Sequence, residues 1–204
     1  MKYLLIRFYA LTRPILVLLL FFVGLIGIIF TSSAATSKHI YPLFLDPQDT
    51  FPIPSNIPNQ LFYLQRTTNT NTIIYALNTN SKGVLDDSNP IKIFWIRYSE
   101  GGMRKELNLI QRTFAYGTMS EKNNDGSFSI RLVAYKKHEL VLRKLPTESG
   151  YRIFTLINKK YAILNRVFIR IDAGGSLFKP NIVYIELKGT ELATGKTIVE
   201  RFKP

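Results

Sequence analysis

The chain contains no cysteine, only two histidines, and no acidic residue before Asp46. Without cysteine there can be no disulfide framework, thiol nucleophile, thiolate zinc site or acylated lipoprotein anchor. With only His39 and His138, metal centres and nucleophile–histidine pairs have almost no material. No G-x-S-x-G elbow and no phosphate-cradling glycine loop is present, and Gly174-Gly175 reads as a single turn. Basic residues never run longer than pairs such as Lys136-Lys137 and Lys159-Lys160, so a nucleic-acid-binding tail is not expected. Neither a cofactor nor a metal is expected. Hydrophobic residues at 46% and charged residues at 20% of 204 positions exclude a wholly disordered chain and allow one domain with a tail.

The missing acids make the N-terminus legible. Lys2, Arg7 and Arg13 precede an uncharged apolar run, Ile15 to Phe30, which Thr31-Ser32-Ser33-Ala34-Ala35 extends without charge. Two readings stay open. Residues 1–35 are a secretory signal with small residues at its exit, or a hydrophobic helix that anchors the chain in a membrane through residues 14–35. Both place the C-terminal part outside the cytoplasm, because the basic residues lie before the run. The expected location is the periplasm, free or anchored to the inner membrane. The charge surplus, 27 basic residues against 14 acidic ones, persists beyond the leader, since only Lys2, Arg7 and Arg13 of the basic residues lie in it. That surplus suits an anionic lipid, glycan or small molecule, or simply a solvated surface.

Residues 36–60 read as a linker, with Pro42, Pro47, Pro52, Pro54 and Pro58 interrupting every apolar cluster. From Leu61 onward, short β-runs alternate with turn signals. The runs are 61–66, 72–77, 91–98, 127–135, 139–145, 151–157, 161–171, 182–187 and 196–202, with Lys136-Lys137-His138 as a hairpin turn. Between Arg104 and Tyr116, Leu107, Ile110 and Phe114 recur at helical spacing, and Gly117 stands where a helix stops. The expected fold is mainly β, an antiparallel barrel or two-sheet sandwich of eight or nine strands and one helix over residues 61–204, preceded by the N-terminal hydrophobic helix. Val167, Ile169 and Ile171 share one face opposite Arg166 and Arg170, with Phe168 as the exception.

Several segments carry a resemblance. Leu61 to Arg66, Asn89-Pro90 leading into Phe94-Trp95-Ile96-Arg97-Tyr98, Ile110-Gln111-Arg112 with Ala115-Tyr116-Gly117, and Tyr184 to Leu187 resemble a family of bacterial envelope proteins, domain of unknown function 4833, met chiefly in Bacteroidetes. The resemblance covers about residues 60–204. It implies an exported domain of a Gram-negative envelope and brings no established chemistry.

The candidate site residues are arginines among aromatics. In a strand Trp95 and Arg97 point to the same side, which places Arg97 at the sheet rim or toward the interior. A guanidinium entering a core must be paired. Its partner is a carboxylate, Glu186 first and then Glu106 or Glu200, or else an anionic ligand flanked by Trp95, Tyr98 and Tyr116. Arg66, closing the first strand, and Arg112, on the helix, complete the set. Asp86-Asp87 reads as a turn. The leading functional expectation is a non-enzymatic exported or membrane-anchored binding domain for an anionic ligand or an envelope protein. The alternative is a carboxylate-based hydrolase of envelope glycans, using Asp172, Glu186 and Glu200.

Overall fold

A computed structural model of the protein describes residues 51–145, 150–176 and 179–204. The expected leader helix and most of the proline-rich stretch lie outside the described residues. Over the described residues the fold is mainly β with one helix, a sheet curled into a half-barrel. Its strands are β1 (Gln60–Arg66), β2 (Asn69–Leu77), β3 (Ile91–Arg97) and β4 (Met103–Glu106), followed by β5 (Thr118–Lys122), β6 (Phe128–Leu132) and β7 (Tyr135–Lys144). β8 (Tyr151–Ile157), β9 (Lys160–Asp172), β10 (Asn181–Glu191) and β11 (Thr197–Phe202) follow. The helix α1 begins at Leu109–Gln111 and continues as a π turn over Arg112–Tyr116.

The curl originates in β9. One edge of β9 pairs with β10 along nearly its whole length. The other edge is shared: its first half pairs antiparallel with β8, and its second half pairs parallel with β1. The sheet therefore forks into one branch, β1-β2-β3-β4, and another, β8-β7-β6-β5. At the fork the β9–β10 register slips, with Lys188 opposite Arg166 but Gly189 opposite Leu164. Such a bulge bends a strand and turns its faces over. It sends both Leu164 and Val167, three residues apart, into the same core. A side chain at Gly189 would stand 2.5 Å from the Ile163 carbonyl oxygen, so only glycine fits where β10 crosses the bend.

Both branches bury their inner faces together. Phe62 stacks on Tyr75 with centroids 4.3 Å apart, and Trp95, Phe128, Ile130, Leu142, Ile153 and Leu164 join the same cluster. Burial on that scale is the main source of stability, at roughly 1.5–3 kcal/mol for each large apolar side chain. β2 is buried on its outer face as well, where Ile74, Ala76 and Phe94 pack with Ile57. The end of the proline-rich stretch lies on this outer surface. Phe51 meets Phe168 edge-on at 5.5 Å, and the Pro52 carbonyl accepts a 2.8 Å hydrogen bond from Gln65 Nε2. Phe168 is thus apolar on the outer side because Phe51 covers it.

Three expectations are corrected. β4 and β5, absent from the sequence reading, are the two ends of the sheet path, and none of their residues is buried, so no apolar alternation marks them. The hairpin turn falls at Val133-Ala134, which puts Lys136, Lys137 and His138 inside β7. The helix starts five residues later than its apolar spacing suggests, because Arg104 to Glu106 belong to β4 and Leu107 enters the core ahead of it. Gly117 does end the helix, but at φ −65° rather than in a left-handed turn. A side chain there would collide with the Arg112 carbonyl oxygen at 2.0 Å.

Candidate functional site

The half-barrel encloses a cavity of about 1000 Å³ between the β1–β3 wall, the β9–β10 wall and α1. Strand register builds its floor. Leu64, Ile73 and Trp95 are opposite one another on β1, β2 and β3, and all point inward. Two residues further along, the same face presents Arg66 on β1 and Arg97 on β3. One strand, β2, separates β1 from β3. Both arginines line the cavity, with Asn69 beside them. Next to β1 stand Val167 and Ile169 of β9, in register with Leu64 and Arg66, followed by Ile185 and Leu187 of β10.

The charges in this lining are incompletely matched. Arg97 forms an ion pair with Glu100, three residues on, through one terminal nitrogen, while its Nε is shut off from solvent and has no hydrogen-bond partner. Arg66 Nε is likewise shut off and without a partner, and Arg66 has no carboxylate partner among the described residues. A desolvated donor left unmatched is costly, on the order of 1–3 kcal/mol. Asp172 also borders the cavity, but Arg170 Nε holds its carboxylate at 2.8 Å.

α1 closes one side. Asn108 Oδ1 accepts from the Gln111 backbone N–H at 2.8 Å, and Gln111 Oε1 accepts from the Asn108 N–H at 3.2 Å, a reciprocal cap. The same Gln111 oxygen accepts from Trp95 Nε1 at 3.3 Å. At the far end of the helix, Tyr116 meets the Trp95 ring edge-on at 5.3 Å, and its carbonyl accepts from the Tyr75 hydroxyl at 2.9 Å. Burial pushes the Tyr75 pKa up, so it remains a donor. Between these anchors Ile110 and Phe114 line the cavity yet stay 63% and 69% exposed, and Leu109 is 79% exposed.

The sequence model of the family described as Domain of unknown function (DUF4833) matches residues 62–201, well over half of the chain. The chain belongs to this family. No curated protein and no solved structure matches it. The matched span contains every strand from β2 to β10 and all of the cavity lining except Phe202.

Within this DUF4833 domain, four of the seven expected site residues, Arg66, Trp95, Arg97 and Tyr116, come together in the cavity. The other three lie elsewhere. Glu186 points to the outer face, 3% exposed, and accepts from Arg201 Nε at 2.6 Å, so it is not the partner of Arg97. Arg112 is on the exposed side of α1, 3.8 Å from Glu106. Tyr98 sits in a 3-10 turn after β3, its pKa raised by burial and by nearby Tyr63. The acids named for hydrolysis are not gathered into one cleft. Glu200 is opposite Leu187 on the inner side and accepts from the Asn158 N–H at 2.7 Å, whereas Glu186 faces outward. Asp86 takes N–H groups of Ser88 and Asn89 on one oxygen, the turn read from sequence.

Sequence reading missed the walls of the cavity and His138. Half-buried rather than at an exposed turn, His138 lines the cavity, stacks on Phe202 at 6.2 Å and hydrogen-bonds Thr155 Oγ1 through Nε2 at 2.7 Å. Burial lowers its pKa, with Glu200 acting in the opposite sense. The two-residue rule that exposed Trp95 and Arg97 also links Leu64 to Arg66, and that signal was available. No His/Asp/Glu cluster able to hold a metal, and no helix long and apolar enough to cross a membrane, occurs among the described residues.

Proposed function

We propose that the protein is a non-enzymatic, exported or membrane-anchored binding domain whose half-barrel cavity holds an anionic ligand on Arg66 and Arg97. The observation that carries this reading is the Arg66 guanidinium, its Nε closed off from water and unmatched at the wall of a cavity of about 1000 Å³. Within a fold, such a group is costly unless something anionic completes it. The cavity volume lies in the range that small-molecule sites occupy. Export rests on the basic leader and uncharged run of residues 1–35. The hydrolase alternative requires two carboxylates in one cleft, and no observation favours it.

The test is Arg66→Met, which keeps volume and removes charge. Native mass spectrometry of the wild-type chain, purified gently from cells, is expected to reveal a co-purifying anion that the variant lacks. Because a desolvated, unmatched Nε–H is removed, the variant should melt at the same temperature or higher. Equal ligand occupancy in both chains would refute the reading, as would a variant that fails to fold.

A further inference from the structure

We infer that the ligand of this cavity is an anionic amphiphile, with its acidic group on Arg66 and Arg97 and an alkyl chain along the inner face of β9 and β10. This deepens the binding reading above and rests on it. The argument is the segregation of the lining. The guanidinium groups are at one end of the β1–β3 wall, one inward position beyond Leu64 and Trp95. Beside Leu64 and Arg66 the neighbouring strand is aliphatic: Val167, Ile169 and Ile171 repeat every second residue and span about 13 Å at the rise of a strand. Ile182, Ile185 and Leu187 flank them from β10.

A compact polar anion would satisfy the arginines but leave that aliphatic wall unmatched. A sugar acid needs hydrogen-bonding groups along its whole length, and the side chains of Val167, Ile169, Ile171, Ile182, Ile185 and Leu187 offer none. An alkyl chain matches the wall, and its single charged end matches the single cationic end. The second charged group at the border, Asp172, is already held by Arg170 and repels a second acidic group there. α1 supplies the route. Ile110 and Phe114 are at once cavity lining and exposed surface, giving an apolar chain continuous contact from outside to inside.

The experiment uses the full chain, purified in an amphipathic polymer without detergent. Straight-chain carboxylates of increasing length, the matching alcohols and phosphate monoesters, and inorganic phosphate are titrated by calorimetry below their aggregation limits. Affinity is expected to climb about fourfold per added methylene over the shorter members, the value of one buried CH₂. The acids should bind at least about tenfold more tightly than the alcohols, the weight of one charge-assisted contact. Arg66→Met should erase that advantage while leaving the chain-length slope intact. Whichever headgroup, carboxylate or phosphate, binds more tightly identifies a fatty acid or a lipid phosphate as the source, and either meets the expectation. If phosphate binds through Arg66 with no chain-length slope, the amphiphile is refuted and the anion site stands. A slope with no preference for acids, or no binding by any probe, overturns both.

Discussion

At the scale of single residues, the two positions that matter most are defined by what they lack. Arg66 and Arg97 each turn an Nε into a closed space with nothing to receive it. His138 is the titratable counterpart. It sits beneath Phe202, where burial favours the neutral imidazole. Its folded pKa is below the ordinary value of 6.5, so its contribution to stability is present above that pH and is lost as pH falls through the folded value. The melting temperature is therefore expected to drop on acidification from about pH 7.5 to about pH 5.5, and to drop less in His138→Gln. Asp86, Asp125, Glu139 and Glu191 are held low by hydrogen bonds, and their losses come at more acidic pH. Parallel melting curves for the two proteins across that range would remove His138 from the account.

At the scale of elements, α1 is the piece whose stability and position are set separately. None of its residues is buried, so packing contributes little and its caps contribute more. Asn108→Ala removes the reciprocal cap and should cost about 1 kcal/mol. Hydrogen exchange over residues 109–116 should rise markedly, while the β1–β3 amides stay protected; unchanged exchange in the helix would contradict the role given to the cap. The helix also shows where a periodic signal misleads. Leu107, Ile110 and Phe114 have helical spacing, yet Leu107 is core before the helix begins, and the other two border a cavity instead of filling it.

At the scale of the whole molecule, the two branches of the half-barrel are hydrogen-bonded to β9 and not to each other, and only their inner faces meet, in one shared core. Edges β4 and β5 are bridged only through α1 in the chain. The outer face of this arrangement is closed by the end of the proline-rich stretch. Phe51 is buried against Phe168, and Phe168 in turn lies under Arg166 at 4.9 Å. Phe51→Ala should destabilise the fold by about 3 kcal/mol in denaturant titration. A loss below about 0.5 kcal/mol would show that the stretch merely rests on the surface.

The sequence by itself determined the β character, the strands with one apolar face, the glycine turns and the membership in the family, because each is written in short-range pattern. Arg97 beside Trp95 was legible for the same reason: two residues along a strand always share a side. Only the tertiary structure decided the fork at β9, the pairing of Glu186 with Arg201, and the burial of His138. Those depend on residues far apart in the chain meeting across strands. Edge strands escaped because they are held by backbone hydrogen bonds, which any side chain permits. The cavity escaped because an apolar residue facing empty space and one facing a core have the same place in the alternation, and only the opposite wall tells them apart.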